Sequence, residues 1–153
     1  MAKKKKLPIN QKPKVVIYTD GACSGNRGGW AATLSCNGES INIMGNDPNT
    51  TNNRMELLAV IKALEILQVS CDVEIYSDSQ YVVKGIMSWL KSWERNNWKT
   101  QEGRPVSNQD MWKQLKELIS KHKVRAYWVK GHADNEQNNV VDSLAQYMRT
   151  QPA

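Results

Sequence analysis

The sequence predicts an α/β fold in which a mixed five-stranded sheet, its first three strands antiparallel, is flanked by helices. Two features of the sequence predict this fold class. First, three short runs of β-type residues are joined by turn signals. Second, two more such runs follow and alternate with stretches of helical periodicity. A length of 153 residues and a hydrophobic content of 40% suit a chain that folds as one domain.

The three antiparallel strands come early in the chain. Lys14–Thr19 is rich in β-branched and aromatic residues, and we expect Asp20-Gly21 to end this strand. Trp30–Cys36 has the same character and predicts the second strand. Asn37-Gly38 signals a hairpin because both residues tolerate positive φ, and Ser40–Met44 then forms the third strand.

From Asn53 onward the hydrophobic period becomes helical. Apolar residues recur three and four positions apart: Leu57, Val60, Ile61, Leu64 and Leu67. The remaining predicted elements are a strand at Val73–Tyr76, a helix from Ser79, a helix capped by Ser107 or Asn108, a strand at Val124–Val129 and a last helix that carries Val140 to Met148. A strand–helix–strand succession implies crossovers, so the later strands should run parallel.

Composition and cysteine usage argue against several classes of protein. No apolar run approaches the roughly 20 residues that span a bilayer, so we expect no membrane partner. Cys23, Cys36 and Cys71 are odd in number and lack C-x-x-C spacing. This pattern argues against a disulfide or a zinc site and for reduced thiols in a cytoplasmic protein.

The net charge of +6 comes largely from the N-terminal tail. Residues 1–14 carry six lysines and no acid, and the other 15 basic residues equal the 15 acidic ones in number. We expect residues 1–13 to be a disordered tail. Such a tail either solubilises the protein or attracts phosphates without specificity, and charge alone does not decide between these roles.

Four acidic residues from distant segments form a candidate metal site. Asp20 and Asp78 follow β-type runs, and Glu56 and Asp142 lie on helical stretches. Together they offer the oxygen ligands that a hard divalent cation requires, and paired-metal sites for phosphodiester hydrolysis are built from such ligands. Taken singly, an aspartate after a strand often only begins a turn, and a glutamate on a helix is often solvated.

Neutral polar residues accompany these carboxylates. Thr51-Asn52-Asn53-Arg54 opens the first long helix, where anions are favoured. Asn26 lies in a glycine-rich loop, and Gln80 follows Asp78 by two residues. Such groups contact sugar hydroxyls and phosphates without reading base sequence, although the two asparagines before Arg54 are equally suited to plain helix capping.

The two histidines differ in their settings. His132 lies in a polar segment ahead of the last helix, where it either moves protons near a metal-bound phosphate or is simply solvated. His122 is flanked by lysines, and we expect it at the surface.

Six motifs in order resemble ribonuclease H of type 1, specifically its bacterial form: Tyr-Thr-Asp-Gly-Ala at 18–22, Thr-Asn-Asn-Arg-Met-Glu-Leu at 51–57, Ser-Asp-Ser-Gln-Tyr at 77–81, Trp-Lys-Thr at 98–100, Val-Lys-Gly-His-Ala at 129–133 and Asp-Ser-Leu-Ala at 142–145. The resemblance covers about residues 14–149, which would form the catalytic domain, with a short tail at 150–153. It implies the ribonuclease H-like fold and endonucleolytic hydrolysis of the RNA strand of RNA–DNA hybrids, largely independent of sequence. The implied products carry 5′-phosphate and 3′-hydroxyl ends, and the implied cofactors are two Mg²⁺ ions, with Mn²⁺ as a substitute.

The resemblance also assigns roles position by position. The metal ligands are Asp20, Glu56, Asp78 and Asp142, and the loop histidine that aids product release is His132. The residues contacting the hybrid, several through RNA 2′-hydroxyls, are Asn26, Asn52, Asn53 and Gln80. A pocket for a phosphate of the DNA strand would contain Thr51 and Asn108.

Residues 84–104 resemble the basic protrusion with which bacterial members of this family grip the DNA strand. Its basic residues are Lys84, Lys91, Arg95, Lys99 and Arg104, and we expect its tryptophans to form a packing core rather than base-stacking platforms. The chain departs from the family pattern in two places: the loop at residues 24–29 is shortened, and the lysine tail is additional.

Two alternatives stay open beside a monomeric hydrolase. One is a hybrid-binding protein without catalysis, which would lack a carboxylate, but all four are present. The other is a DNA-cleaving enzyme of the same fold. The Asn-Asn-Arg-Met-Glu segment and the loop with His132 argue against it.

Overall fold

The computed structural model describes residues 12–130 and 135–152, and five strands in these ranges form one sheet. The strands are β1 (Lys14–Ser24), β2 (Arg27–Cys36), β3 (Glu39–Asp47), β4 (Asp72–Ser77) and β5 (Lys123–Trp128), in the spatial order β3-β2-β1-β4-β5. The first three are antiparallel neighbours, and β4 and β5 run parallel to β1. The predicted fold class is confirmed.

Helices follow in the predicted order. They are α1 (Asn52–Ile66), α2 (Gln80–Lys84), α3 (Leu90–Arg95), α4 (Gln109–Ile119) and α5 (Glu136–Arg149), and a π-helical turn (Gly85–Trp89) joins α2 to α3. None of the helices in the described ranges combines the length and the apolar character needed to cross a membrane.

Helices cover both faces of the sheet. On one face α1 packs on β1 and β2 and is itself backed by α4, and this side holds the main core, which includes Ile17, Leu57 and Trp112. On the other face α5 packs on β1 and β2, where Ala31 and Val141 form a smaller cluster. Burying each large apolar side chain of this kind contributes about 1.5–3 kcal/mol, so the two layers fix both helices to the central strands.

Two glycines let the helices approach these strands closely. A Cβ on Gly21 would collide with the backbone of Met55 and Glu56, where α1 begins. A Cβ on Gly29 would collide with the carbonyl oxygen of Ala145 in α5. Backbone atoms cannot swing aside as the end of a side chain can, so glycine at both positions is a condition for the observed helix placement.

The first hairpin is tighter than predicted. β1 does not end at Asp20-Gly21, because pairs such as Ala22–Gly29 extend the antiparallel ladder beyond it. The predicted loop shrinks to a turn at Gly25-Asn26, and Gly25 has φ of +62°, a conformation that tight hairpin turns demand. Asp20 therefore lies inside β1, and the residues before and after it along the strand are paired with β2.

His122 is half-buried at the surface and has a structural contact that the sequence did not indicate. Its Nδ1 accepts a hydrogen bond from the N–H of Cys71 at 3.0 Å, which links the segment before β4 to the segment before β5. Burial lowers the pKa of His122, and the charges of Lys12 and Lys121 lower it further. The fold thus favours the neutral imidazole, which is the form whose Nδ1 can accept this bond.

We predict that His122 makes the protein less stable in mild acid. Its pKa in the folded state lies below the ordinary value of about 6.5, so the unfolded chain takes up the proton more readily. The stability associated with neutral His122 is complete above about pH 6.5 and is lost as the pH falls through the folded-state pKa. The melting temperature of the wild type should fall more steeply from about pH 7.5 to about pH 5 than that of His122→Asn, which cannot titrate. Parallel curves would contradict this assignment.

Candidate active site

Two carboxylates lie side by side where the parallel pairing of β1 with β4 ends. The last pair is Thr19 with Ser77, so Asp20 and Asp78 occupy the next position along each chain segment. The carboxyl ends of parallel strands meet at one edge of a sheet, and this edge is the usual place for a site in α/β folds.

Glu56 and Asp142 reach the same edge from opposite faces of the sheet. Glu56 lies near the start of α1, and carboxylate oxygens of Asp20, Glu56 and Asp78 lie within 4.8 Å of one another. Asp142 on α5 shares a hydrogen bond with the side chain of Asp20. The structure therefore brings together all four residues that the sequence indicates as metal ligands.

Burial gives this cluster unusual electrostatics. Only 2% of Asp20 and 4% of Glu56 are exposed. Burial is the main cause that raises the pKa of Asp20, and the charge of Glu56 and the hydrogen bond with Asp142 add to it. Burial is also the main cause that raises the pKa of Glu56, and the charge of Asp78 raises it further. In the absence of a cation, the cluster retains protons that isolated carboxylic acids would lose at neutral pH.

The donor set fits a hard divalent cation. Oε2 of Glu56 is buried and has no hydrogen-bond partner among the described residues, an arrangement that costs free energy unless a bound group satisfies the oxygen. Carboxylates suit Mg²⁺ or Mn²⁺ better than softer metals. Across residues 12–130 and 135–152, Asp20, Glu56 and Asp78 are the one group of three or more candidate ligands close enough to hold an ion.

Four of the predicted substrate contacts lie beside one another at the start of α1. Thr51 is the N-cap, and its Oγ1 accepts the N–H of Arg54 at 3.2 Å. Asn52 and Asn53 follow in the first turn with exposed side chains, so capping does not explain them. Asn26 is joined to this segment because its carbonyl oxygen accepts the N–H of Thr50 at 2.8 Å. The shortened loop thus still delivers an exposed Asn26 to the helix start.

Gln80 lies close to Asp78 at the start of α2. It is exposed, and Ser79 caps the helix by accepting the N–H of Val82 at 3.2 Å. The amide of Gln80 therefore stands at the same sheet edge as the carboxylates, free of a capping role.

Asn108 does not cap α4, although it precedes the helix. Its backbone is left-handed, with φ of +56°, and its side chain makes no capping bond. Oδ1 of Asn108 instead accepts from Arg54 at 3.3 Å, and Nδ2 donates to the hydroxyl of Tyr81 at 3.2 Å. These contacts hold the Asn108 amide beside the start of α1, where Thr51 lies.

The sequence did not indicate the role of Arg54. Its guanidinium binds both carboxylate oxygens of Asp110, at 3.0 and 2.8 Å, and so ties α1 to α4 around Asn108. The hydrogen bonds from Arg54 lower the pKa of Asp110. The partners are 56 positions apart, so the only sequence signal was Arg54 within the motif that precedes Glu56.

The basic protrusion includes α3 and the loop after it. Its five basic side chains are exposed: Lys84, Lys91, Arg95, Lys99 and Arg104. The tryptophans pack as expected, with ring centroids 5.6 Å apart for Trp89 and Trp93 and 5.2 Å for Trp93 and Trp112. The carbonyl oxygen of Trp98 accepts from Gln109 at 2.9 Å, which fastens the loop to α4. The protrusion therefore presents its charges on a packed base.

Two predicted features lie outside the described residues. His132 is one of them. The lysines of residues 1–11 are the other. Pro13, the last residue of the predicted tail, belongs to the ordered fold, because its carbonyl oxygen accepts the N–H of Asp72 at 2.8 Å.

Comparisons with known proteins match nearly the whole chain. The family model described as RNase H matches residues 12–149. A protein named Ribonuclease H from Bradyrhizobium sp. (strain ORS 278) is 49% identical over 139 residues, which is 90% of this chain and 90% of that protein. The solved structure of LC9-RNase H1, described as a type 1 RNase H with the type 2 active-site motif, has a TM-score of 0.80 at 29% identity and covers 94% of this chain and 74% of that chain. LC11-RNase H1, solved in complex with RNA/DNA hybrid, shares the fold with a TM-score of 0.65 at 21% identity, over 87% of this chain and 94% of that chain.

We predict that Mg²⁺ stabilises the protein through the carboxylate cluster. A ligand at about 100 times its dissociation constant adds about 2.7 kcal/mol when only the folded state binds it. Asp20→Asn should abolish most of this gain. Without metal, the same variant should be more stable than the wild type, because a neutral amide replaces a buried carboxyl group among like charges. Thermal melts with and without Mg²⁺ measure both effects.

Glu117→Gln is the matched control, since it neutralises an exposed carboxylate on α4. Its Mg²⁺-dependent shift in melting temperature should equal that of the wild type. Equal shifts in Asp20→Asn and Glu117→Gln would rule out the cluster as the metal site.

Proposed function

The chain belongs to the ribonuclease H family and is an endoribonuclease, and we propose that it hydrolyses the RNA strand of RNA–DNA hybrids, largely without regard to sequence. The observation that carries this proposal is the convergence of four carboxylates at one sheet edge, bordered by exposed amide side chains. The products would carry 5′-phosphate and 3′-hydroxyl ends.

The proposed metal ligands are Asp20, Glu56, Asp78 and Asp142. Two bound Mg²⁺ ions, replaceable by Mn²⁺, would supply Lewis-acid activation of a water molecule and neutralise the charge that develops on the departing 3′-oxygen. The protein holds the carboxylates in place through strand ladders and close helix contacts, so they need little reorganisation when ions bind. The burial of Asp20 and Glu56 excludes water that would weaken their electrostatic interactions.

Recognition of the RNA strand is assigned to amide side chains. Asn26, Asn52, Asn53 and Gln80 are exposed around the carboxylates and combine donors with acceptors. A 2′-hydroxyl both donates and accepts hydrogen bonds, and it is the group that distinguishes RNA from DNA. We therefore assign these four residues to ribose contacts. Contacts to sugars and phosphates carry no direct sequence information, which fits sequence-independent cleavage.

The DNA strand would be held at two further places. We assign Thr51 and Asn108 to one of its phosphates, since Thr51 caps α1 and Arg54 in the first turn of α1 donates to Asn108. The exposed lysines and arginines of the protrusion add salt-dependent attraction to the same strand. LC11-RNase H1, which has this fold, was solved with an RNA/DNA hybrid, and this supports a hybrid as the substrate class.

The remaining assignments extend the same proposal. Residues 14–149 would be the catalytic domain of a monomeric protein, with residues 1–13 as a tether that attracts phosphates. His132 would assist product departure from the metal site. The cysteines in the described residues are free thiols, which suits a reducing compartment such as the cytoplasm.

The test is a gel assay on an end-labelled RNA–DNA hybrid, with RNA–RNA and DNA–DNA duplexes of the same sequence, in Mg²⁺ and in EDTA. We expect metal-dependent cutting of RNA in the hybrid alone. Binding of the hybrid without cutting in Mg²⁺ or Mn²⁺ would instead indicate a non-catalytic binding protein. Equal cutting of the DNA duplex would indicate a DNA-cleaving enzyme of the same fold.

A variant at the loop histidine separates its role from that of the metal ligands. His132→Ala should lower kcat by about 10-fold to 100-fold, less than Asp20→Asn, because general acid–base assistance contributes only part of the acceleration. Hybrid affinity should stay at the wild-type value in both variants. A loss of kcat in His132→Ala as large as in Asp20→Asn would contradict the proposed assisting role.

A further inference from the structure

A groove next to Asp78 contains an exposed aromatic residue, Trp128, to which the assignments above give no role. Trp128, the last residue of β5, is 47% exposed, although tryptophan is usually well buried. Together with Gln80, Val83 and Lys84 it lines a groove of about 270 Å³. The groove thus offers an aromatic face, an amide and an ammonium group, which suit a base or sugar face, a hydroxyl and a phosphate respectively.

The indole ring is held in a fixed orientation beside the candidate metal site. Nε1–H of Trp128 donates to the main-chain oxygen of Asp78 at 3.0 Å. The residue after Trp128 is also held in place, because the N–H of Val129 donates to the carbonyl oxygen of Ser77 at 2.9 Å. A ring that is already fixed loses little conformational entropy when a ligand packs against it.

We propose that Trp128 and Lys84 form a subsite for the cleaved strand, next to the scissile phosphate. The indole face packs against a ribose or base, and the Lys84 ammonium group pairs with a phosphate. This inference rests on the proposed function, since the strand whose phosphate reaches the carboxylates is the strand that passes Asp78. It also separates Lys84 from the other basic residues of the protrusion, because Lys84 lies at the end of α2 and lines this groove.

The test is equilibrium binding of a fluorescently labelled RNA–DNA hybrid, with every variant made in the Asp20→Asn background to suppress cleavage. Trp128→Ala should raise the dissociation constant about fivefold to tenfold, within the range found for removal of stacking aromatics. Trp128→Phe keeps an aromatic face and should raise the dissociation constant clearly less than Trp128→Ala does. Tyr147→Ala is the control, because Tyr147 is 59% exposed on α5 and lies outside the groove. This variant should leave the dissociation constant at its starting value.

Lys84→Gln provides a second, independent readout. Its plot of log affinity against log salt should be shallower by about one unit, as expected for the loss of one phosphate contact. Melting temperatures confirm that each variant is folded.

An unchanged dissociation constant in Trp128→Ala would overturn the proposed subsite. Equal losses of affinity in Trp128→Ala and Trp128→Phe would also overturn it, because they would implicate the indole N–H rather than the ring face. These results are distinct from failure of the proposed function. In that case the protein with Trp128 and Asp20 intact would fail to cut the RNA of the hybrid selectively in the gel assay.

Discussion

The crowding of carboxyl groups in a buried place is the constraint on which the rest of this structure depends. Asp20, Glu56 and Asp78 lie within 4.8 Å of one another, and two of them are almost completely buried. Burial, and then the closeness of like charges, disfavours ionisation, so without a cation the cluster retains protons. A bound divalent cation would offset the free energy lost in bringing these groups together, and we propose that this is their role.

Paired strands and packed helices hold these crowded carboxyl groups together. Two of its carboxylates follow paired positions of β1 and β4, and the other two arrive on helices that the sheet accepts only because Gly21 and Gly29 lack side chains. A large core beneath α1 and a smaller one beneath α5 keep those helices in place. The groups assigned to substrate, by contrast, lie on turns and helix starts at the rim, where they are exposed. The packed layers thus stabilise the fold, and the residues proposed to recognise substrate lie at one edge of the sheet.

Local patterns predicted the element order and the four carboxylates, since β-type runs and helical periodicity record which residues face a core. They failed where distant residues decide the local structure. Asp20-Gly21 resembles a turn, but β2 extends the ladder past it. Asn108 resembles a cap, but Arg54 and Tyr81 engage its amide. The bidentate pair of Arg54 with Asp110 and the fixed orientation of Trp128 depend on contacts between elements, and no single segment of the sequence records them.

The most direct test of the central claim, that this cluster exists to hold divalent cations, is a crystal of the protein grown with Mn²⁺ and measured for anomalous scattering. We predict two anomalous peaks between the carboxylates of Asp20, Glu56, Asp78 and Asp142, with Oε2 of Glu56 in contact with an ion. Peaks elsewhere on the molecule, or a well-ordered cluster with no peak at saturating Mn²⁺, would contradict it.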